Sequence, residues 1–265
     1  AACGGDGIEG AATTTGAGTT TGGSKQLADK LTISNWTLYI DIDEETNERP
    51  TLNQFTEETG VEVEYIEDVN DNDEWFGKNQ AALQAGNPIG RDITVLTDWM
   101  AGRMVRLDYV QQLDKSAIPN ASNLVESLRS PSFDPSRDYS MPWQSGAIGL
   151  GYNIKKTGRE LTSVKDLFDP KFKGRVTMLS EPYDSACTVL LGDGIDASSA
   201  SIDQIKGAID KIDEANKGGQ FRRFTGNDYT TDLAKGNVWV SLAYSGDLIQ
   251  LQSDNPDLRF AYPEE

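Results

Sequence analysis

The 265 residues carry 42 acidic and 24 basic side chains, a formal charge of −18, and no histidine. That charge excludes a phosphate-backbone partner, which needs a basic face, and no nucleic acid is expected. The missing imidazole excludes a Ser–His–Asp triad and the commonest zinc ligand, while 37% hydrophobic residues suffice for one large or two small cores.

At the start, Ala1-Ala2-Cys3-Gly4-Gly5 sets small residues on both sides of a cysteine, the pattern of a bacterial lipoprotein processing site. Cys3 is therefore expected to be lipidated. Residues 4–24 are dominated by Gly, Ala and Thr, a composition that buries nothing. As a flexible leash, about twenty such residues reach roughly 25 Å. Residues 1–26 are read as this N-terminus and linker. Cys187 lies in an apolar stretch and is expected to be a buried small hydrophobe, with no disulfide to Cys3.

The fold is expected to start near Leu27. Residues 31–36 read as a strand, and 50–59 as a helix stopped by Gly60. Residues 61–66 alternate apolar and polar, the period of a half-buried strand. A helix over 75–85, a strand over 92–96 and a helix over 100–107 follow. This order predicts an α/β unit with a largely parallel sheet. After a turn-rich stretch at 131–139, strands are predicted at 147–153, 176–179 and 238–243. Helices are predicted at 163–168, 186–191, 201–215 and 229–235. Ile202, Ile205, Ile209 and Ile212 share one helical face and are expected in the core. The second half thus repeats the grammar of the first, with the join near residue 142.

Most catalytic and cofactor motifs are missing. There is no Gly-x-x-x-x-Gly-Lys loop, and Gly146, Gly149 and Gly151 lie within a strand pattern instead of a strand-to-helix turn. No nucleophile elbow occurs. No cofactor and no metal site is called for. A carboxylate-based hydrolase is the enzymatic alternative, but with 42 acidic residues chance pairs are everywhere.

What stands out is a set of aromatic, hydroxyl and acidic residues at the C-terminal ends of predicted strands, where open α/β sheets bind ligands. They are Trp36 and Thr37, then Thr97, Asp98 and Trp99, then Glu181 and Asp184, then Tyr244 and Asp247. Such a lining suits an organic polycation. An ammonium over an aromatic face gains about 0.5–2 kcal/mol. Facing carboxylates add charge-assisted hydrogen bonds.

Asn35-Trp36-Thr37-x-Tyr39 resembles the opening element of spermidine/putrescine-binding proteins. Phe55-Thr56 through Thr59-Gly60-Val61-x-Val63 and Asp92 through Trp99 are similar to elements of the same family. So are Phe133-Asp134-Pro135, Asp138 through Pro142, Trp239 through Asp247, and Tyr262-Pro263-Glu264. The resemblance implies an α/β, two-lobed periplasmic-binding-protein-like fold of type II, each lobe a sheet flanked by helices, incomplete at the C-terminus. Lobe 1 would span 27–142, lobe 2 143–262, and 263–265 would begin the return to lobe 1. Trp36, Thr37, Tyr39, Thr97, Asp98 and Trp99 would contact the ligand from lobe 1. Asp184, favoured over Glu181, would do so from lobe 2 with Tyr244 and Asp247.

The implied function is extracytoplasmic capture of a polyamine by a monomer that delivers it to an ABC permease, held at the membrane through Cys3. The family continues beyond the Pro-Glu element, so the chain is expected to be a fragment that is not a tight binder alone. Other small organic cations, opine-like or amino-acid-like solutes, and a sensing role are the alternatives. Ferric iron is disfavoured, because no tyrosine pair stands out at a strand end. Replacing Trp36 by Ala is expected to weaken binding and leave the fold intact.

Overall fold

The computed structural model describes residues 27–43 and 45–263. Cys3 and the 1–26 linker lie outside them, as do Glu264 and Glu265. The first sheet is parallel throughout. It has β1 (Lys30–Trp36) at its centre, flanked by β2 (Glu62–Val69) and β3 (Ile93–Thr94). Helix α1 (Pro50–Thr59) links β1 to β2, with Pro50 in its first turn and Gly60 closing it in the left-handed conformation, φ 74°. Helix α2 (Asn72–Gln84) links β2 to β3, and the Asp71 carboxylate caps it by accepting from the Glu74 N–H at 2.8 Å. Helix α3 (Asp98–Arg106) and the short α4 (Glu126–Arg129) follow β3. The first unit's buried cluster is Trp36, Val69, Trp75, Phe76, Met100 and Met104.

The second sheet has five strands in the order β6-β5-β7-β4-β8. They are β4 (Ile148–Asn153), β5 (Val176–Leu179), β6 (Phe221–Thr225), β7 (Val240–Tyr244) and β8 (Leu258–Ala261). β5 runs parallel to β6 and β7, while β4 runs antiparallel to β7 and β8. The helices are α5 (Ile154–Thr157), α6 (Pro182–Gly192), α7 (Ile202–Lys217), α8 (Tyr229–Ala234) and α9 (Ser245–Asp254). The core here is larger, built on Leu150, Val176, Met178, Val189, Val240, Leu242 and Leu248 among others. Gly149 belongs to β4 for a packing reason. A Cβ there would stand 2.4 Å from the Ala261 carbonyl of β8.

Several expectations change. The strand read at 92–96 forms a ladder only at Ile93–Thr94, and the Asp92 side chain accepts the Thr32 N–H at 2.7 Å. The 163–168 helix is a 3₁₀ segment, Val164–Phe168, opened by a Ser163–Asp166 capping box. β6, β8 and α9 are elements the pattern does not announce. β6 and β8 are sheet edges, where one ladder side is free and adjacent charges such as Arg222 and Arg223 are tolerated. Of the isoleucine stripe only Ile212 is buried; Ile202 is 83% exposed, and Ile205 and Ile209 are exposed too. Helix α7 seats its Ala208–Ile212 face alone. Cys187 is half-buried, not enclosed.

Candidate binding site

Five helices begin where parallel strands of the two sheets end. α2 follows β2, α3 follows β3, α6 follows β5, α8 follows β6 and α9 follows β7. Helix N-termini carry partial positive charge and by themselves favour anions. Here their first turns hold Asp73 and Glu74, Asp98, Asp184, Asp232 and Asp247. The acidic side chains reverse the sign that the backbone alone would present.

The two sheets meet at these ends. Ser180 donates to Asp71, the Asn227 N–H donates to the Asn70 carbonyl at 3.0 Å, and Asn72 donates to Glu181. Gly226 lies so close to Asn70 that a Cβ would meet its carbonyl oxygen at 2.1 Å. The Trp143 indole N–H donates to the Tyr39 carbonyl at 2.9 Å, tying the connecting segment to the first unit. Beside the seam lies an open acidic groove of about 440 Å³, lined by Asp71, Asp73, Glu74, Ser180, Thr225 and Asp228. It is not the site. Its Asp73, Glu74 and Asp228 are already paired with Arg103, Lys78 and Arg223.

The other side of the seam has no such cations. Glu181 is 2% exposed and sits at the N-cap of α6. Its carboxylate does not cap that helix; Oε1 accepts from the Asn72 N–H at 2.8 Å and from Asn72 Nδ2 at 2.5 Å. Its Oε2 is buried with no donor. Burial pushes the Glu181 carboxyl up to about 8; the two Asn72 donors oppose this and the nearby Asp184 adds to it. Burial raises Asp184 as well, although the Tyr244 hydroxyl donates to it at 2.7 Å. Asp247, 3% exposed, is raised by burial and accepts from the Tyr229 hydroxyl at 2.5 Å. The charged groups acting on Glu181 and Asp184 are each other and Asp71. Among the described residues no Lys or Arg pairs with these three carboxyls, of which Glu181 and Asp247 are buried and Asp184 is half-buried.

Aromatic rings wall this set. Tyr39 is half-buried and bonded to Gln144, its phenol raised by burial and by the charges of Asp247 and Glu181. Trp36 tilts against Tyr39 at 6.2 Å between centroids, and Trp99 stacks on Tyr183 at 5.2 Å. The Trp99 Nε1 and Thr97 Oγ1 are buried without partners. Among the residues singled out from sequence, the structure thus brings together Tyr39, Glu181, Asp184, Tyr244 and Asp247, with Trp36, Thr97 and Trp99 at the margin. Thr37 and Asp98 are exposed, Asp98 standing in the first turn of α3 where its charge suits the helix end.

Glu181 and Asp184 both belong to this set. Two readings need correction. Trp36 is 3% exposed within the first unit's core, so its removal leaves a cavity and does not spare the fold. The structure also makes a tyrosine pair, Tyr229 and Tyr244, at 6.4 Å. Both hydroxyls donate to carboxylates and burial pushes both phenols well up, so they stay protonated and do not offer phenolate ligands.

Asn72, Tyr183, Tyr229 and Gln144 were missed. Asn72 had a signal, since Asp71 three residues before Glu74 is a helix-start signature. Tyr229 opens the helix read at 229–235, but with strand β6 unrecognised no strand end pointed to it.

Comparison with known proteins agrees with this architecture. Residues 51–265 match the bacterial extracellular solute-binding protein family. The chain is 30% identical over 246 residues to the putrescine-binding periplasmic protein SpuD of Pseudomonas aeruginosa, covering 87% of this chain and 63% of that protein. It is 29% identical to the putrescine-binding periplasmic protein PotF of Escherichia coli, covering 89% of this chain and 65% of that one. The chain thus spans less than two thirds of the length of these curated relatives. A putative spermidine/putrescine ABC transporter structure from Listeria monocytogenes superposes with a TM-score of 0.73 at 25% identity, over 89% of this chain and 69% of that one.

Proposed function

Since the chain belongs to the bacterial extracellular solute-binding protein family, we propose that its cleft captures a linear aliphatic diamine or triamine of the putrescine and spermidine class. The family places the chain outside the cytoplasm as a binding protein, not an enzyme. The observation that carries the reading is the trio Glu181, Asp184 and Asp247, without a basic partner among the described residues and bordered by Tyr39 and Tyr244, with Trp99 at the margin. Each ammonium of the solute would take a carboxylate, and its methylenes would lie on the rings. Leaving such charges buried and unpaired would cost several kcal/mol, so an arriving cation supplies the counter-charge the trio lacks.

The same reading divides the chain into lobes at 142/143 and lets them close on the solute by hinge motion. It includes delivery by the monomer to an ABC permease, and tethering through a lipid on Cys3. Solutes that carry a carboxylate, such as opines or amino acids, fit less well, because the trio would repel them.

Calorimetric titration of the chain with putrescine, spermidine and glutamate tests this. Saturable binding of the amines alone, lost in Glu181→Gln, is the expected result. Equal binding of glutamate, or amine binding unchanged in Glu181→Gln, would sink the assignment.

A further inference from the structure

Asn72 is fully buried and bonded in both directions. Its N–H and Nδ2 reach across the seam to Glu181 Oε1, at 2.8 and 2.5 Å. Its Oδ1 accepts the Thr97 N–H at 3.1 Å, at the start of α3. The neighbours fix the orientation of this amide. Flipped, its oxygen would face a carboxylate and its NH₂ would face an N–H donor. One oxygen of Glu181 is therefore taken up, and the other, Oε2, is buried with no donor aimed at it, next to the Asp184 carboxyl with which Glu181 shares a proton. The groups facing Glu181 are Asp184 on its own helix, with Tyr39 and Tyr244 close enough to feel its charge; Asp71, which caps α2, acts on Asp184. All are acidic or phenolic, so Asn72 supplies the donors that favour the ionised carboxylate.

We propose that Asn72 is a positioning residue of the cleft: it clamps Glu181 Oε1 across the seam, aims Oε2 at the incoming cation, and ties both to the Thr97–Trp99 segment. Only the identity of that cation rests on the diamine reading given above. Asn72 lies on the first unit and Glu181 on the second. The clamp therefore exists only when the two units are together, and it couples closure to the charge on Glu181.

The test begins without solute. The ¹³C carboxyl resonance of Glu181, identified by its loss in Glu181→Gln, is followed against pH in the wild-type chain, Asn72→Asp and Asn72→Ala. Asn72→Asp keeps the shape and the acceptor for Thr97 while removing the side-chain donor and leaving the backbone N–H. Asn72→Ala removes the side-chain donor without adding charge. The expected result is an upward move of the Glu181 inflection by about one pH unit or more in both variants, with circular dichroism unchanged in Asn72→Asp. A clamp that only holds the fold together would lower the melting temperature and leave the inflection in place. An unmoved inflection in folded Asn72→Asp overturns the proposal. Putrescine titration of the same proteins is a separate arm. Binding at least tenfold weaker in the variants is expected. A wild-type chain that ignores putrescine overturns the diamine reading alone, since the ligand-free titration still judges Asn72.

Discussion

The indole of Trp99 and the phenol of Tyr183 stack across the seam, with ring centroids 5.2 Å apart and planes 11° from parallel. Trp99 belongs to the first turn of α3 on one sheet unit, Tyr183 to the first turn of α6 on the other. Tyr183 is 60% exposed, so the pair forms the outer edge of the cleft, one ring toward water and the other beneath it.

Replacing Tyr183 by Ala is expected to uncover Trp99. Tryptophan emission should shift to the red and acrylamide quenching should rise, with stability falling by about 1 kcal/mol or less. Emission identical to wild type would mean that the two units do not meet through this stack in solution.

Trp36→Ala is expected to cost about 3–5 kcal/mol, because it empties a site enclosed by Trp75, Met100 and their neighbours. Urea unfolding measures the loss. Trp36→Phe keeps most of the volume and is expected to lose less. A loss below about 1 kcal/mol in Trp36→Ala would return Trp36 to the role of a free cleft wall.

Stability without solute is expected to fall as pH rises. The folded chain holds the Glu181 proton up to about pH 8, whereas an unfolded glutamate releases it near 4.5. Between those values the unfolded chain binds fewer protons, so raising the pH favours unfolding. Asp184 and Asp247, also raised by burial, act in the same direction. Thermal melts of the wild-type chain and Glu181→Gln across this window are the check. The variant should lose part of the slope, and parallel curves would contradict the enclosure of Glu181.

Gly226→Ala is expected to hold the units apart, since the added Cβ would fall 2.1 Å from the Asn70 carbonyl oxygen. Small-angle scattering should show a larger radius of gyration with secondary structure intact. An unchanged profile would show that the seam yields at little cost.

The exposed stripe of α7 shows where reading the chain alone misleads. Ile202, Ile205 and Ile209 obey helical periodicity, which locates the helix, but periodicity cannot say which part of a face finds a neighbour. Edge strands fail for the complementary reason. β6 carries Arg222 and Arg223 side by side because an edge needs no alternation, and with β6 unseen no strand end pointed to Tyr229. Glu181 and Asp184 were both visible as strand-end carboxylates, yet three residues of separation could not say whether one or both faced the cleft.

Local chemistry was readable from the chain alone. Proline and glycine helix stops, the central strands, and the aromatic and acidic residues at strand ends follow from short-range sterics, periodicity and the absence of histidine. Their order also sufficed for the α/β class. Only the tertiary structure decided that Asn72 and Glu181, 109 positions apart, share hydrogen bonds, that Trp36 is core, and that burial raises three carboxyls with no basic partner among the described residues. Burial and long-range pairing depend on how the two sheets dock, and no local pattern in a chain records which surfaces lose their water.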